Sequence, residues 1–166
     1  AYNSRRLAAQ IEAEGAVLLK NEKQRLPLHP EKTKKLLVIG ENAECVHSNG
    51  GGSAEIKALY EITPLMGIKT LLGGNAEVRF IKGYCRDGKV EKSDVNWQEA
   101  SLENGGGSTK TGIASVDAAL KAKRKSLRRE AVELAAQYED VILIGGLNHD
   151  CDSEGNDRAD MKLPYE

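Results

Sequence analysis

Two uninterrupted apolar runs, each ending in glycine, constrain the fold of this chain more than any other feature. They occupy residues 36–40 and 141–146. A strand with one face in water alternates apolar and polar side chains, so a continuous run is typical of a strand covered on both faces of a parallel sheet. Residues 76–81 alternate instead, which indicates a strand near an edge. With a short apolar run after Gly15, the sequence predicts one mainly parallel sheet with strands near residues 16–19, 36–40, 76–81 and 141–145.

Helical patterns alternate with these strands. The apolar spacing predicts a helix over residues 4–14, with Ser4 as its cap. Thr63 is the expected N-cap of a second helix, and Pro64 occupies its first position, where a missing N–H does no harm. Residues 116–138 carry the most regular apolar stripe at helical spacing. The alternation predicts an α/β fold, in which helices flank a mainly parallel sheet to form an α/β sandwich.

Composition and charge argue against several classes of partner and site. A length of 166 residues suffices for one domain, and a net charge of -1 offers no field that would recruit nucleic acid or an anionic membrane. A basic run within residues 121–129 is typical of a solvated helix face, because acidic residues follow it. No apolar run is long enough to span a bilayer. The three cysteines lack metal-binding spacing, and their odd number argues against a disulfide framework: Cys45, Cys85 and Cys151.

Two loops are expected at the carboxyl ends of the buried strands, where α/β sheets bind ligands. The first, over residues 41–54, contains three consecutive glycines beginning at Gly50. It has neither the dinucleotide-binding glycine pattern nor the GK[ST] sequence of a phosphate loop, which argues against nucleotide binding. The glycines then serve either to let the loop turn or to let its backbone approach a ligand closely. A further, irregular loop is expected over residues 86–115.

The second strand-end loop, over residues 147–163, carries a cluster of carboxylates. Its acidic residues from Asp150 to Glu154 have the opening spacing of a calcium loop, but position twelve is Met161 where a bidentate glutamate is required. One remaining interpretation is a solvated acidic loop with an ion pair to Arg158. The other is a general acid, since glycosidic cleavage needs a protonated carboxyl beside the leaving oxygen and a second carboxylate across the anomeric carbon.

Sequence blocks along most of the chain resemble, in order, the second domain of family 3 glycoside hydrolases of the β-glucosidase type. They are EGAVLLKNE at 14–22, VIGENA at 38–43, GGGSA at 50–54, TPLMGI at 63–68, and SEGNDR at 153–158 with LP at 163–164. Each block alone is a weak signal. Their number and their order together make the resemblance specific.

The resemblance implies a (β/α) barrel that carries an aspartate nucleophile, followed by an α/β sandwich that supplies the acid/base glutamate. The implied site residues are the catalytic Glu154, the loop-fixing Asp157 and Arg158, and the substrate-binding Gly51, Gly52 and Ser53. The implied reaction is retaining hydrolysis of a β-linked saccharide or glycoside. Neither a metal ion nor an organic cofactor is expected.

The chain departs from the family pattern in the loop of Glu154 and in its extent. Asp152 stands where many relatives have glutamate and Cys151 where many have tryptophan, so the aromatic wall of the leaving-group subsite is expected to be thin. The one tryptophan, Trp97, lies in the irregular loop. Barrel sequence and the later sandwich strands are missing. Residues 1–166 are therefore expected to form a partial sandwich domain, with an initial helix and strand over 1–22.

Because one carboxylate cannot perform both steps, this chain alone is expected to be inactive without the barrel domain of the same protein. An alternative from another class is a non-catalytic carbohydrate-binding or interaction module on the same fold. A coding sequence without an upstream barrel would favour that module. A receiver or nucleotide-binding domain would need an acidic pocket or phosphate loop after the first strand, and Glu41 and Asn42 offer little of either. The patterns assign neither the sugar nor the compartment.

The expected partial sandwich leads to a prediction about self-association. An uncovered sheet edge or apolar face invites pairing with a second copy, so we expect homo-oligomers or low stability in the isolated chain. Sedimentation velocity at increasing concentration, together with a thermal melt, measures both. A monodisperse monomer with a cooperative melt at high temperature would contradict the prediction.

Overall fold

A computed structural model describes residues 2–46, 57–85, 114–147 and 161 of the chain. The chain divides into two compact units, Ala1–Pro30 and Glu31–Glu166. The first unit contains helix α1 (Tyr2–Gly15) and a short 3-10 helix (Glu22–Gln24).

A turn held by one asparagine follows α1 in the first unit. The Asn21 side chain donates from Nδ2 to the Leu26 carbonyl at 2.9 Å and accepts from the Leu26 N–H at 2.8 Å. These two bonds fasten the chain on both sides of the 3-10 helix Glu22–Gln24. The Asn21 amide therefore satisfies both the N–H and the C=O of Leu26, as a neighbouring strand would in a sheet.

Two predictions for this unit are wrong. Residues 16–20 belong to neither helix nor strand, so the predicted strand at 16–19 does not form in the described structure. The apolar side chains there stay in water, with Leu19 91% exposed. An apolar run becomes a strand only when its N–H and C=O groups pair with a neighbour, and the described part of the first unit contains no strand that could pair with it. Ser4 also does not cap α1, because the helix begins before it at Tyr2.

The second unit is built on a three-stranded sheet in the order β2-β1-β3. The strands are β1 (Lys35–Ile39), β2 (Glu77–Ile81) and β3 (Asp140–Leu143). Both neighbours run parallel to β1, with Val38 opposite Phe80 on one side and Ile142 on the other. The predicted parallel sheet is confirmed, and β2 lies at an edge as its alternating pattern indicated.

A helix packs on each face of this sheet. Helix α2 (Pro64–Leu72) sets Leu65 and Leu72 against Leu36 and Val38 of β1. On the opposite face, Ala131 of α3 (Ala114–Ala135) packs against Leu37 and Ile39. Because successive strand residues point to opposite faces, the continuous run of β1 supplies both cores. This arrangement confirms the predicted α/β sandwich.

Helix α2 has the termini that the sequence predicts. The Thr63 hydroxyl accepts a hydrogen bond from the Met66 N–H at 3.2 Å, and Pro64 is the first helical residue. Gly73 ends the helix in the left-handed conformation, with φ 56°. These local signals place α2 so that its apolar side reaches the sheet.

Strand β3 differs from its prediction as a strand covered on both faces. Val141 is 39% exposed and Leu143 is 68% exposed, whereas Ile142 packs into the core beneath α2. On the other face α3 lies against β1 and Ile81 of β2, so the described residues cover the Val141 side of β3 only in part. The apolar run therefore correctly predicted a strand but overstated how far it is buried.

Among the described residues, no helix has both the length and the apolar character needed to cross a membrane.

The central position of β1 leads to a stability prediction. Leu37 is fully buried, so Leu37→Ala should remove apolar contacts and leave a cavity, lowering the free energy of unfolding by about 2–5 kcal/mol. Leu71→Ala makes the same chemical change at a side chain that is 72% exposed and should cost far less. Urea unfolding followed by circular dichroism measures both. Equal losses in the two variants would contradict the placement of β1 at the centre.

The close approach of Gly40 to Ile144, just beyond β1 and β3, leads to a second stability prediction. Gly40 has φ +122°, and a Cβ there would overlap the Ile144 carbonyl oxygen. Gly146 has nearly the same φ, +119°, with nothing within 4 Å of a Cβ. Alanine at either position suffers backbone strain of about 1–3 kcal/mol. Only Gly40→Ala adds a steric clash, so it should lower the free energy of unfolding clearly more than Gly146→Ala does, as measured by the same urea titration.

Candidate active site

The carboxyl ends of all three strands meet at one edge of the sheet. Residues that follow each strand come together there: Gly40 and Asn42 after β1, Tyr84 after β2, and Ile144 and Gly146 after β3. We refer to these residues as the strand-end cluster. In parallel α/β sheets this edge is where ligands bind, which is the surface that the sequence predicted.

Backbone contacts first hold the three strand ends together. The Gly40 N–H donates to the Ile81 carbonyl at 3.1 Å, and the Ile144 N–H donates to the Ile39 carbonyl at 2.8 Å. Each strand pairing therefore continues one residue beyond the strand. Gly40 also lies so close to the Ile144 carbonyl that a side chain would not fit. Glycine is required at this position by the close approach and by its positive φ.

Beyond the backbone pairing, hydrogen bonds from side chains connect the strand ends. The Tyr84 hydroxyl oxygen accepts from the Asn42 N–H at 3.2 Å and donates to the Ile144 carbonyl at 3.4 Å. The Asn42 side chain is 4% exposed and donates from Nδ2 to the Gly146 carbonyl at 3.0 Å. A buried amide left without partners costs more than the bond itself contributes, so these contacts restrict both Asn42 and the chain that leaves β3.

An ion pair lies beside the cluster. Lys82 Nζ is 3.3 Å from Glu41 Oε1, with the lysine side chain 52% exposed and the glutamate side chain 15% exposed. Solvent weakens the attraction, because one partner is half in water. The pair connects Glu41, the second residue after β1, with Lys82, the first residue after β2, and adds a carboxylate to this edge. The pair therefore contributes little to stability, and its main effect is to link the ends of the two strands.

A cleft of about 490 Å³ opens between α3 and the ends of β1 and β3. Most of its described lining is aliphatic, including Ile39, Leu143 and Val132, and Arg128 is the one charged side chain among these described residues. It lies beside the outer side of β3, which α3 covers only in part. Sugar hydroxyls need several hydrogen-bonding groups, and the described lining offers few, so the cleft is not assigned to the sugar.

The site residues predicted from the sequence lie outside the described residues. Gly51, Gly52 and Ser53 fall in the segment 47–56 that follows Val46. Glu154, Asp157 and Arg158 fall in the segment 148–160 that follows Leu147. Both segments leave from strands whose carboxyl ends contribute to the strand-end cluster. Within residues 2–46, 57–85, 114–147 and 161, no group of three His, Cys, Asp or Glu side chains could hold a metal ion.

Sequence reasoning missed two members of this edge, Asn42 and Tyr84. A signal was available, because each comes just after a strand, where polar side chains face the ligand edge of a sheet. The VIGENA block already drew attention to Asn42 as part of a resemblance, without a structural role. Nothing in the sequence paired it with Tyr84, which follows a different strand.

Comparison with known proteins relates most of the chain to one family. The glycosyl hydrolase family 3 C-terminal domain matches residues 16–166. Beta-glucosidase BoGH3A of Bacteroides ovatus is 37% identical over 96% of this chain, which covers 19% of that protein. A beta-glucosidase of Rhizobium radiobacter is 42% identical over 52% of this chain and 10% of its own length. A probable beta-glucosidase I of Aspergillus oryzae is 43% identical over 46% of this chain and 9% of its own length.

The matched region thus spans about a fifth or less of each of these relatives. It includes all three strands of the sheet, both helices that cover it and the strand-end cluster. The match extends over nearly the whole chain and agrees with the order of the sequence blocks. The chain belongs to glycosyl hydrolase family 3, in the C-terminal domain of that family.

Proposed function

We propose that this chain is part of a retaining, β-glucosidase-like glycosidase and that Glu154 is its general acid/base. The observation that carries the proposal is the position of the SEGNDR block in a chain that matches the family domain. The block follows β3, whose carboxyl end lies at the ligand edge of the sheet. The substrate is a β-linked saccharide or glycoside, and the reaction is hydrolysis of its O-glycosidic bond.

Retaining hydrolysis needs two carboxyl groups about 5–5.5 Å apart. The aspartate nucleophile belongs to the barrel domain of the same protein and attacks the anomeric carbon to form a glycosyl-enzyme. Glu154 protonates the leaving oxygen in this first step. In the second step it removes a proton from water, which attacks the glycosyl-enzyme and restores the original configuration.

The remaining site residues support that carboxyl group and the leaving group. Asp157 and Arg158 hold the loop of Glu154 by hydrogen bonds. The Gly51, Gly52 and Ser53 segment lines the leaving-group subsite, where glycines let the backbone approach the sugar closely. The reaction requires neither a metal ion nor an organic cofactor, because proton transfer and covalent catalysis are both performed by carboxylates.

The chain alone is proposed to be inactive, because it supplies one of the two carboxyl groups. Activity should require the barrel domain, which places both groups around one anomeric carbon. The coding sequence upstream of this chain decides the point. A barrel with a suitable aspartate agrees with the glycosidase, and its absence would turn the proposal toward a non-catalytic carbohydrate-binding module.

The role of Glu154 is tested in the protein that carries the barrel. Glu154→Ala should slow glycosides with poor leaving groups, such as alkyl glucosides, by about 10²–10⁴-fold, because they need a proton on the leaving oxygen. Activated aryl glucosides should lose much less in the first step. Their second step should become limiting, since water has lost its base. Steady-state kinetics on a series of leaving groups measures both effects.

Azide supplies the decisive control for this prediction. It is a small anion that attacks the glycosyl-enzyme without needing a base, so it should restore turnover of Glu154→Ala and release a β-glycosyl azide. Asp150→Ala and Asp152→Ala are matched controls in the same loop and should show no rescue. Rescue of Asp152→Ala alone would move the acid/base role to that residue. Near-normal hydrolysis of alkyl glucosides by all three variants would refute the catalytic role of the loop.

A further inference from the structure

The chain that leaves β3 is held by side chains from the other two strands. Strand pairing ends at the bond from the Ile144 N–H to the Ile39 carbonyl. Beyond that bond, the Ile144 carbonyl accepts a hydrogen bond from the Tyr84 hydroxyl. The Gly146 carbonyl accepts one from the Asn42 side chain. One of these side chains follows β2 and the other follows β1, so all three strands restrain the same short segment.

The restraint is stiff for two physical reasons. The Asn42 amide is buried, so losing its bond to Gly146 would leave a polar group without a hydrogen-bond partner and shielded from water. The Asn42 N–H donates to Tyr84, which in turn donates to Ile144, so the two restraints form one hydrogen-bonded chain.

We infer that Asn42 and Tyr84 are positioning residues for Glu154. The inference rests on the proposed function, because Glu154 lies farther along the segment that leaves β3. Neither residue is assigned a contact with the substrate. Their role is to hold the Ile144 and Gly146 carbonyls, and with them the direction in which the chain leaves the sheet. Displacing a reacting group by 1 Å costs about 100-fold in rate, so a fixed departure point matters for catalysis.

A purely structural role for the same bonds has a different signature. Bonds that only stabilise the domain would change the amount of folded enzyme and would affect all substrates alike. Bonds that position the general acid affect substrates according to how much protonation their leaving groups need. The dependence of rate on the leaving group therefore separates the two roles.

The test uses Asn42→Asp and Tyr84→Phe in the protein that carries the barrel. Asn42→Asp keeps the shape of the side chain but replaces the donor to Gly146 by a carboxylate oxygen. Tyr84→Phe keeps the ring and removes the hydroxyl that contacts Ile144 and Asn42. For each, kcat/KM is measured on alkyl and dinitrophenyl glucosides. We expect the alkyl substrate to lose about tenfold more than the dinitrophenyl substrate, part of the ~100-fold that a 1 Å displacement costs.

Thr63→Ala is the matched control. It removes the cap of α2, which lowers the stability of the same sheet without touching the strand-end cluster. Its melting temperature should fall, while its alkyl and dinitrophenyl rates should change by equal factors. A second control is the double variant of Tyr84→Phe with Glu154→Ala. If Tyr84 acts through Glu154, removing the hydroxyl should not change the leaving-group dependence once that carboxyl is gone.

The outcomes separate this inference from the proposed function. If Glu154→Ala itself shows neither leaving-group dependence nor azide rescue, the proposed function fails and the inference fails with it. If Glu154→Ala shows both, but Tyr84→Phe and Asn42→Asp behave like Thr63→Ala, only the positioning role is overturned. Should Asn42→Asp not fold, Tyr84→Phe decides, because it removes one oxygen and retains the packing of the ring.

Discussion

Pairing of β1 with a parallel strand on each side is the interaction on which the second unit depends. Both edges of β1 are used in hydrogen bonding, and both of its faces are covered by a helix. A five-residue strand of Lys35–Ile39 can serve both cores only because four consecutive side chains are buried. Helices α2 and α3 have no comparable contact with each other in the described structure. Removing β1 would therefore separate the two helical layers.

The same pairing brings the carboxyl ends of the three strands together at the ligand edge of the sheet. Parallel strands end on one side of the sheet, so the residues after β1, β2 and β3 are brought within hydrogen-bonding distance although they are far apart in sequence. The backbone holds the first residue beyond the strands, and Asn42 and Tyr84 hold the next ones. In the proposed enzyme, these contacts fix the point at which the segment that contains Glu154 leaves the sheet. Loops that carry catalytic groups need such a scaffold, since their own backbone makes few contacts.

Family membership and the structure support the proposed function in different ways. The family match relates the chain to proteins named beta-glucosidases, each of them much longer than the matched region. The structure adds that β3, the strand before the SEGNDR block, ends at the ligand edge of the sheet, which is a physical argument for the proposed catalytic role of that block. The apolar cleft beside α3 has a different character, because its aliphatic lining suits carbon atoms more than hydroxyl groups.

The sequence by itself determined the elements that depend on neighbouring residues. The buried strand at β1, the Thr63 cap and the parallel α/β class follow from local periodicity and turn chemistry, and the ordered blocks identified the family. Tertiary structure alone decided which strands pair, that residues 16–20 form neither helix nor strand, and that Val141 and Leu143 stay exposed. It also decided that Asn42 and Tyr84 meet the chain leaving β3. Hydrophobic period indicates which face of a strand can be buried, but actual coverage and contacts between distant residues depend on strand order and register, which that period does not contain.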